Sequence, residues 1–563
     1  MVVSDYFSYM KKHGLIRYVS LEEMAKNYER KNGNFPTVMV DISDVDTQKY
    51  INTLVPYPWN YHTLVKKLRE YVQQFRDKHI EPCFYIWGRL KDYADVKVPN
   101  KYTCNNKRNG LKKLKQIRND RHSDSTCYAE NTLTKIYWFS SFILKYDCGC
   151  QVINVTEKKY AKLAKIAKDD DRCLGILTSD SRCLIYNTKP VFYHVPMKLV
   201  STLTEMYLPN EFLRKIDLNS SQLKLLFSAQ KDLLGFKFAN LENDEVLRIE
   251  YLKNAIKDNN LTGDEQDVFV WSYITEIRVA ILRAKMELYD EIDNDDGSAN
   301  YTTLSKFLKQ KWNACESPAK VYYVVKRQNY VETFNLSDFT EESLPFSISL
   351  YDSMRRNMYF ALLRQENCKV RELWISEPTN INIEDYVTNF TTYEGFIPTL
   401  EILLSDDSSV NEYRWKLLFY CLGKTTSTRY SNTPIFAFCC VINYMLRNGV
   451  EFRQYELDAL ILQAILVSNN SDSYNNNTEW NRRFVHLSRL YETGMNTLMN
   501  VLTACGFPIS LEHSLHWKTF NILVFSNVYY ELICQTPLDV FCKRNNIDIS
   551  YYKWIHITCL EEM

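Results

Sequence analysis

Three acids follow apolar segments in the first third of the chain. Asp41 ends Val38-Met39-Val40, Glu157 lies just past Val152–Val155, and Asp180 follows Leu174-Gly175-Ile176-Leu177 at a Ser-Asp step. Carboxylates gathered at strand ends are the hard oxygen ligands that divalent cations take, and phosphodiester cleavage by two such ions needs a dense cluster of them. Asp also ends strands simply as a turn residue, so three acids alone leave both readings open. Their neighbours bear on the choice. Trp87 ends the segment Cys83-Phe84-Tyr85-Ile86, Lys159 stands two residues past Glu157, and Arg182 stands two residues past Asp180. At about 4 Å and an effective dielectric of about 20, each contact between unit charges is worth about 4 kcal/mol before solvent relaxes. Lys159 and Arg182 can therefore offset the acids from within the chain.

These residues need a scaffold that brings strand ends together. Short apolar runs at Val38–Val40, Cys83–Ile86, Val152–Val155 and Leu174–Leu177 read as strands. Leu64, Val65, Leu68, Tyr71, Val72 and Phe75 recur at helical spacing between the first two, and a helix is expected from Glu157 to Lys168 behind a Thr156 cap. Strands alternating with helices predict an α/β domain with a mostly parallel sheet, whose ligands gather at the carboxyl ends of the strands. From about Leu208 the pattern is helical, with Asp267–Ile292 reading as a buried helix and Asp293–Asn300 as an acidic linker. Amphipathic stretches follow at Met354–Glu366, Tyr413–Cys421, Phe436–Arg447, Tyr455–Val467 and Phe484–Leu502, and the Ser- and Asn-rich run Ser468–Thr478 reads as a loop. The expected domains are 1–240 (α/β), 241–345 (helical extension and linker) and 346–563 (mostly helical).

Thr156-Glu157-Lys158-Lys159 with Leu177-Thr178-Ser179-Asp180-Ser181-Arg182-Cys183-Leu184, and Val40-Asp41 before them, resembles the internal motif of the flap-endonuclease superfamily. Within it, the chain looks like a divergent member of the asteroid-like branch. More narrowly it resembles the constitutive coactivator of peroxisome proliferator-activated receptor gamma family. That narrower resemblance rests on Ala504-Cys505-Gly506-Phe507-Pro508-Ile509, Glu512-His513, Trp517, Phe520 and Phe525. Trp59-Asn60, Arg356–Leu363 and Glu456–Ala459 also fit it. The resemblance implies a flap-endonuclease-like (PIN-like) sheet domain with a large helical C-terminal region, in which Asp41, Glu157 and Asp180 keep acids of the nuclease centre. It also marks the departures. Trp87 replaces an expected Asp, Lys159 the second Glu of a Glu-x-Glu pair, and Arg182 a second Asp. Val2 stands where active relatives have a glycine after the initiator methionine. These substitutions make a pseudo-nuclease the expected state, with no catalytic residues, no metal and no cofactor.

Between Lys97 and Arg121 the chain carries nine basic residues and one acid. Lys107, Arg108, Lys112, Lys113 and Arg118 are the candidate RNA contacts, since clustered cations bind phosphates by releasing counterions. The other reading of this run is a solvated insertion without a partner. A second basic series, Lys158, Lys162 and Lys165 with Lys159 and Lys168 nearby, reads as the solvated side of an amphipathic helix. The histidines form no metal spacing; His513 and His516 beside Trp517 read as packing, and Trp517 and Phe520 are expected to be buried.

With 69 basic against 68 acidic residues, a globally basic nucleic-acid binder is excluded, but a local basic patch is not. Sixteen cysteines without a CxxC pair match neither a zinc module nor a secreted disulfide framework. Only 14 glycines and no glycine-rich phosphate loop argue against nucleotide chemistry. The start Met-Val-Val-Ser-Asp does not read as a signal peptide, and the longest apolar run, Ile435–Ile442, is too short to span a bilayer. A cytoplasmic or nuclear protein with reduced thiols is expected. Its expected role is noncatalytic: an RNA-binding or protein-binding scaffold regulating RNA or gene expression, with RNA and protein partners, no membrane and no small-molecule substrate. The alternatives are a metal-dependent, structure-specific nuclease and a protein-only adaptor or coactivator.

Overall fold

The computed structural model describes residues 5–42, 61–87, 139–155, 159–186, 188–193, 203–218, 302–331, 343–364, 368–377, 380–387, 396–424, 431–469 and 482–560, with a few isolated positions between them. These fall into two compact units. The first takes its described residues from 5–42, 67–87 and 140–257; the second from 61–66, Phe139 and 302–560.

The first unit is built on a seven-stranded sheet of β1 (Ile16–Val19), β2 (Thr37–Asp41), β3 (Glu81–Trp87), β4 (Gln151–Val155), β5 (Cys173–Thr178), β6 (Val191–Tyr193) and β7 (Thr204–Tyr207), in the order β1-β7-β6-β5-β2-β3-β4. The five strands from β6 to β4 run parallel, while β7 is antiparallel to both β6 and β1. Every residue of β2 is buried, as an apolar run at the centre of a two-sided sheet should be. The chain steps outward from β2 to β3 to β4, then returns to place β5 on the other side of β2. That reversal makes the carboxyl ends of β2 and β5 a topological switch point, where α/β sheets open a crevice. The helix Lys159–Asp169 turns Leu163, Ala164 and Ala167 inward, leaving Lys165 and Lys168 exposed. The second basic series thus includes an ordinary solvated face. Met39, Tyr85, Val155, Leu163, Ile176 and Leu184 share one core with Tyr207 and Phe212.

The second unit is mainly helical. Asp352–Leu363, Asn411–Cys421, Pro434–Arg447, Gln454–Ser468 and Arg482–Ala504 realise the five amphipathic stretches with ends shifted by a few residues, as helix ends commonly are. Several charged groups buried among them are paired. Arg483 grips Glu456 at 2.7 Å, Arg489 meets Glu492, and the Tyr61 hydroxyl donates to Glu492 at 2.7 Å. Trp517 and Phe520 are buried as expected, and His516 packs edge-on against the Tyr61 ring. A three-stranded sheet, β10-β9-β8, departs from the helical reading: β8 is Asn329–Val331, β9 Lys369–Glu377 and β10 Asn380–Val387. Ile381-Asn382-Ile383-Glu384 alternates apolar and polar residues, the period of a strand rather than a helix. The α/β class with a mostly parallel sheet and a large helical C-terminal region is the class read from the sequence.

Candidate functional site at the strand ends

Asp41 is the last residue of β2 and Asp180 lies two residues past β5, so the switch point brings these two acids to one edge of the sheet. Both are buried, Asp41 at 0% and Asp180 at 2% exposure. Thr178, the last residue of β5, stands between them. Its hydroxyl donates to Asp41 Oδ2 at 3.2 Å, and its Oγ1 accepts the Asp180 backbone N–H at 3.1 Å.

Asp180 caps the short helix Ser181–Ile185 by accepting the Arg182 backbone N–H at 3.0 Å on Oδ1. The turn that follows swings the Arg182 side chain back over the same carboxylate. Arg182 Nε donates to Oδ1 at 2.8 Å and to Oδ2 at 3.0 Å, and Nη2 adds a contact to Oδ2. Tyr160, in the first turn of Lys159–Asp169, closes the group. Its hydroxyl donates to Asp180 Oδ2, and its ring lies 4.4 Å beneath the guanidinium carbon. Burial, then the Asp180 charge, hold the Tyr160 phenol well above its usual range, so it remains a donor. Burial alone would pull Arg182 down, but its hydrogen bond to Asp180 and the charge there outweigh burial and hold it up. The unit is a cation locked on a carboxylate.

Divalent metals take open carboxylate oxygens, and those of Asp180 are already engaged by Arg182 and Tyr160. Both oxygens of Asp180 face a guanidinium, and the Asp41 carboxylate accepts from Thr178. Among the described residues, no group of three or more His, Cys, Asp or Glu side chains is placed to hold a metal ion. Glu157 and Val2 lie outside the described residues, as do Lys107, Arg108, Lys112, Lys113 and Arg118. Trp87 ends β3 and Lys159 begins its helix, with their side chains outside the described set. Tyr160 and Thr178 are the site residues that the sequence did not single out. Tyr160 sits three residues before Leu163 on the buried face, a signal of burial but not of its carboxylate partner. Every described cysteine is a free thiol, only Cys534 among them is exposed, and burial pushes Cys83 up to about 12.

No family model matches the chain. It is 25% identical over 257 residues to the constitutive coactivator of peroxisome proliferator-activated receptor gamma from Mus musculus, covering 43% of this chain and 33% of that protein. The resemblance to this coactivator family holds. The Homo sapiens coactivator is 25% identical over 252 residues, 42% of this chain and 28% of the human protein. The chain thus spans about a third of the length of the coactivators it matches. Among solved structures, it is similar to flap endonuclease-1 from Methanococcus jannaschii (12% identity, 47% of this chain and 81% of that one, TM-score 0.29). It is also similar to the eukaryotic junction-resolving enzyme GEN-1 binding with sodium (10% identity, 67% and 94%, TM-score 0.28). No described helix is long and apolar enough to cross a membrane.

Proposed function

We propose that this chain is a noncatalytic scaffold, built on a nuclease-type α/β unit whose acidic centre is neutralised from within, that binds RNA and protein partners and regulates RNA or gene expression. The observation that carries this reading is the Arg182 guanidinium spanning both oxygens of Asp180. An internal cation gives the buried carboxylate the charge balance that metal ions would give it in a working two-metal site. The coactivator name of the relatives supports protein partners and a role in gene expression. The basic run from Lys97 to Arg121 supports RNA as a ligand, read through phosphates rather than bases.

The test joins calorimetric titration of Mn²⁺ with cleavage assays on single-stranded RNA and flapped DNA. The expected result is neither saturable Mn²⁺ binding nor metal-dependent cleavage, with RNA retained in a binding assay. Mn²⁺-dependent cleavage that disappears in Asp180→Asn would overturn the proposal and restore the nuclease reading. Absence of RNA binding with intact protein-partner capture would favour the protein-only adaptor.

A further inference from the structure

Within the second unit, two exposed aromatic rings meet beside a cluster of acids. Phe396 is 72% exposed and Tyr413 is 37% exposed, and their rings touch edge to face with centroids 6.2 Å apart. Ile402 is a further exposed apolar side chain on the neighbouring helix Leu400–Leu403. Single exposed apolar residues are ordinary, but adjoining large ones mark places where something binds.

The surface is held rigidly. Arg414, one turn into the helix Asn411–Cys421, turns inward: Nε donates to the Leu403 carbonyl at 2.8 Å and Nη2 to that of Ser405. This fastens the end of Leu400–Leu403 to the turn that carries Tyr413. The connecting segment is capped as well, with Asp407 accepting the Ser409 backbone N–H at 2.8 Å. Surface groups fixed before binding lose little entropy when a partner arrives.

The outward charge is negative. Asp406, Asp407 and Glu412 are exposed, whereas the nearby Arg414 is buried and its donors are spent on backbone and Asn411 oxygens. Lys416 offsets Glu412 through an exposed pair at 2.6 Å, which solvent screens. Aromatic faces next to carboxylates favour an ammonium or guanidinium, while such a surface repels phosphates.

We propose that Phe396, Ile402 and Tyr413, rimmed by Asp406, Asp407 and Glu412, form a docking site for a basic protein segment that sets an apolar anchor beside arginine or lysine. The aromatic pair takes the anchor and the cation's flat face, and the acids take its charge. The partner is a protein rather than RNA, and the site is separate in residues from the basic run proposed for RNA.

The experiment uses the full chain and two labelled amphipathic peptides with the same leucine face, one bearing arginines on its polar face and the other glutamates. Fluorescence anisotropy should show the arginine peptide binding and the glutamate peptide not. The Phe396→Ala, Tyr413→Ala double variant should weaken the arginine peptide by about tenfold. The Asp406→Asn, Asp407→Asn variant, which keeps a capping side chain at 407, should weaken it by about threefold and flatten its salt dependence. Circular dichroism and urea unfolding check that each variant keeps its fold; Asp406→Asn, Asp407→Asn reads the site should the aromatic double variant unfold. No binding of the arginine peptide, equal affinity in folded variants, or equal binding of the glutamate peptide would overturn the proposal. So would a single-stranded RNA whose binding is lost in the aromatic variant.

Discussion

Arg182 reaches back across a single turn to lay Nε between the two oxygens of Asp180, 2.8 Å from one and 3.0 Å from the other. A residue two positions from its partner needs no distant element to find it, so the pair forms wherever the turn forms. Tyr160 then arrives from a separate helix and fixes the same carboxylate from the side. The acid is thereby a structural centre that ties the end of β5 to the helix Lys159–Asp169.

That arrangement sets the first prediction. Arg182→Ala leaves the buried Asp180 with only neutral donors, and breaking a buried pair from one side costs more than the pair itself contributes. Because the Arg182 side chain is 28% exposed, the loss is expected at about 2 kcal/mol rather than at the fully buried value. Adding Asp180→Asn should recover part of that loss, giving a coupling energy of about 1 kcal/mol between the two positions. Urea unfolding of the four proteins in the cycle measures it. Strict additivity would show that the charge pair is not what holds the turn.

The second prediction explains one residue of the family-like block. Gly506 follows the helix Arg482–Ala504 with φ +77°, and Phe507 N–H returns to the Leu502 carbonyl at 2.8 Å while Gly506 N–H points to that of Thr503. This is a Schellman ending, which favours glycine at that position. Space enforces the same choice, since a Cβ there would lie 2.2 Å from the Leu403 backbone oxygen. Gly506→Ala should cost at least about 2 kcal/mol, read as a lowered urea midpoint with an unchanged slope.

Much of this was legible in the sequence, for reasons tied to particular residues. The central strands are short apolar runs that stop at Asp41, Trp87 and Ser179-Asp180, and burial on both sides of the sheet requires such runs. Asp41 and Asp180 come together because strand order places them together, as the α/β pattern implied. The hydrogen-bond partners were not legible. Tyr160 and Asp180 are 20 residues apart, and Thr178 and Asp41 are 137 apart. Propensity and spacing carry no information about such pairs. The strands Ile16–Val19 and Val191–Tyr193 are too short to display alternation. Nothing in the sequence marks Glu456 and Arg483 as partners, yet the two are buried against each other as an ion pair.

A third prediction concerns Lys424. Its Nζ is buried with no hydrogen-bond acceptor among the described residues, and burial pulls the ammonium down to about 8 from its ordinary 10.5, with the nearby Cys440 opposing the shift. The folded state thus binds this proton less tightly than the unfolded chain does. Between about pH 8 and 10.5 the unfolded chain carries the extra proton, so the Lys424 contribution makes stability rise with pH there. Below about pH 8 both states are protonated and the full penalty of a buried charge remains. Lys424→Met should therefore stabilise the protein by about 1–2 kcal/mol at pH 7, with the gain shrinking as pH climbs towards 10. Unfolding curves of both proteins at pH 7, 8.5 and 9.5 test the sign as well as the size.

The last prediction decides whether RNA is a direct ligand. Lys107, Arg108, Lys112, Lys113 and Arg118 crowd into a run with one acid, in a chain whose total charge is nearly balanced. Any strong attraction for phosphate must therefore be local. Contacts of this kind read the backbone, so binding should tolerate sequence changes in the RNA and weaken steeply with salt. Replacing all five with Ala or Ser should reduce affinity for single-stranded RNA by about tenfold or more at moderate salt and flatten the dependence of affinity on salt. Unfolding midpoints should hardly move, since exposed charges add little to stability. The Arg182→Ala variant provides the contrast: it disturbs the strand-end centre without touching the basic run. RNA affinity that falls in the five-residue variant and stays constant in Arg182→Ala would assign the ligand to the run. Affinity and salt slope unchanged in a well-folded five-residue variant would remove RNA from that run and make the protein-only adaptor the better reading.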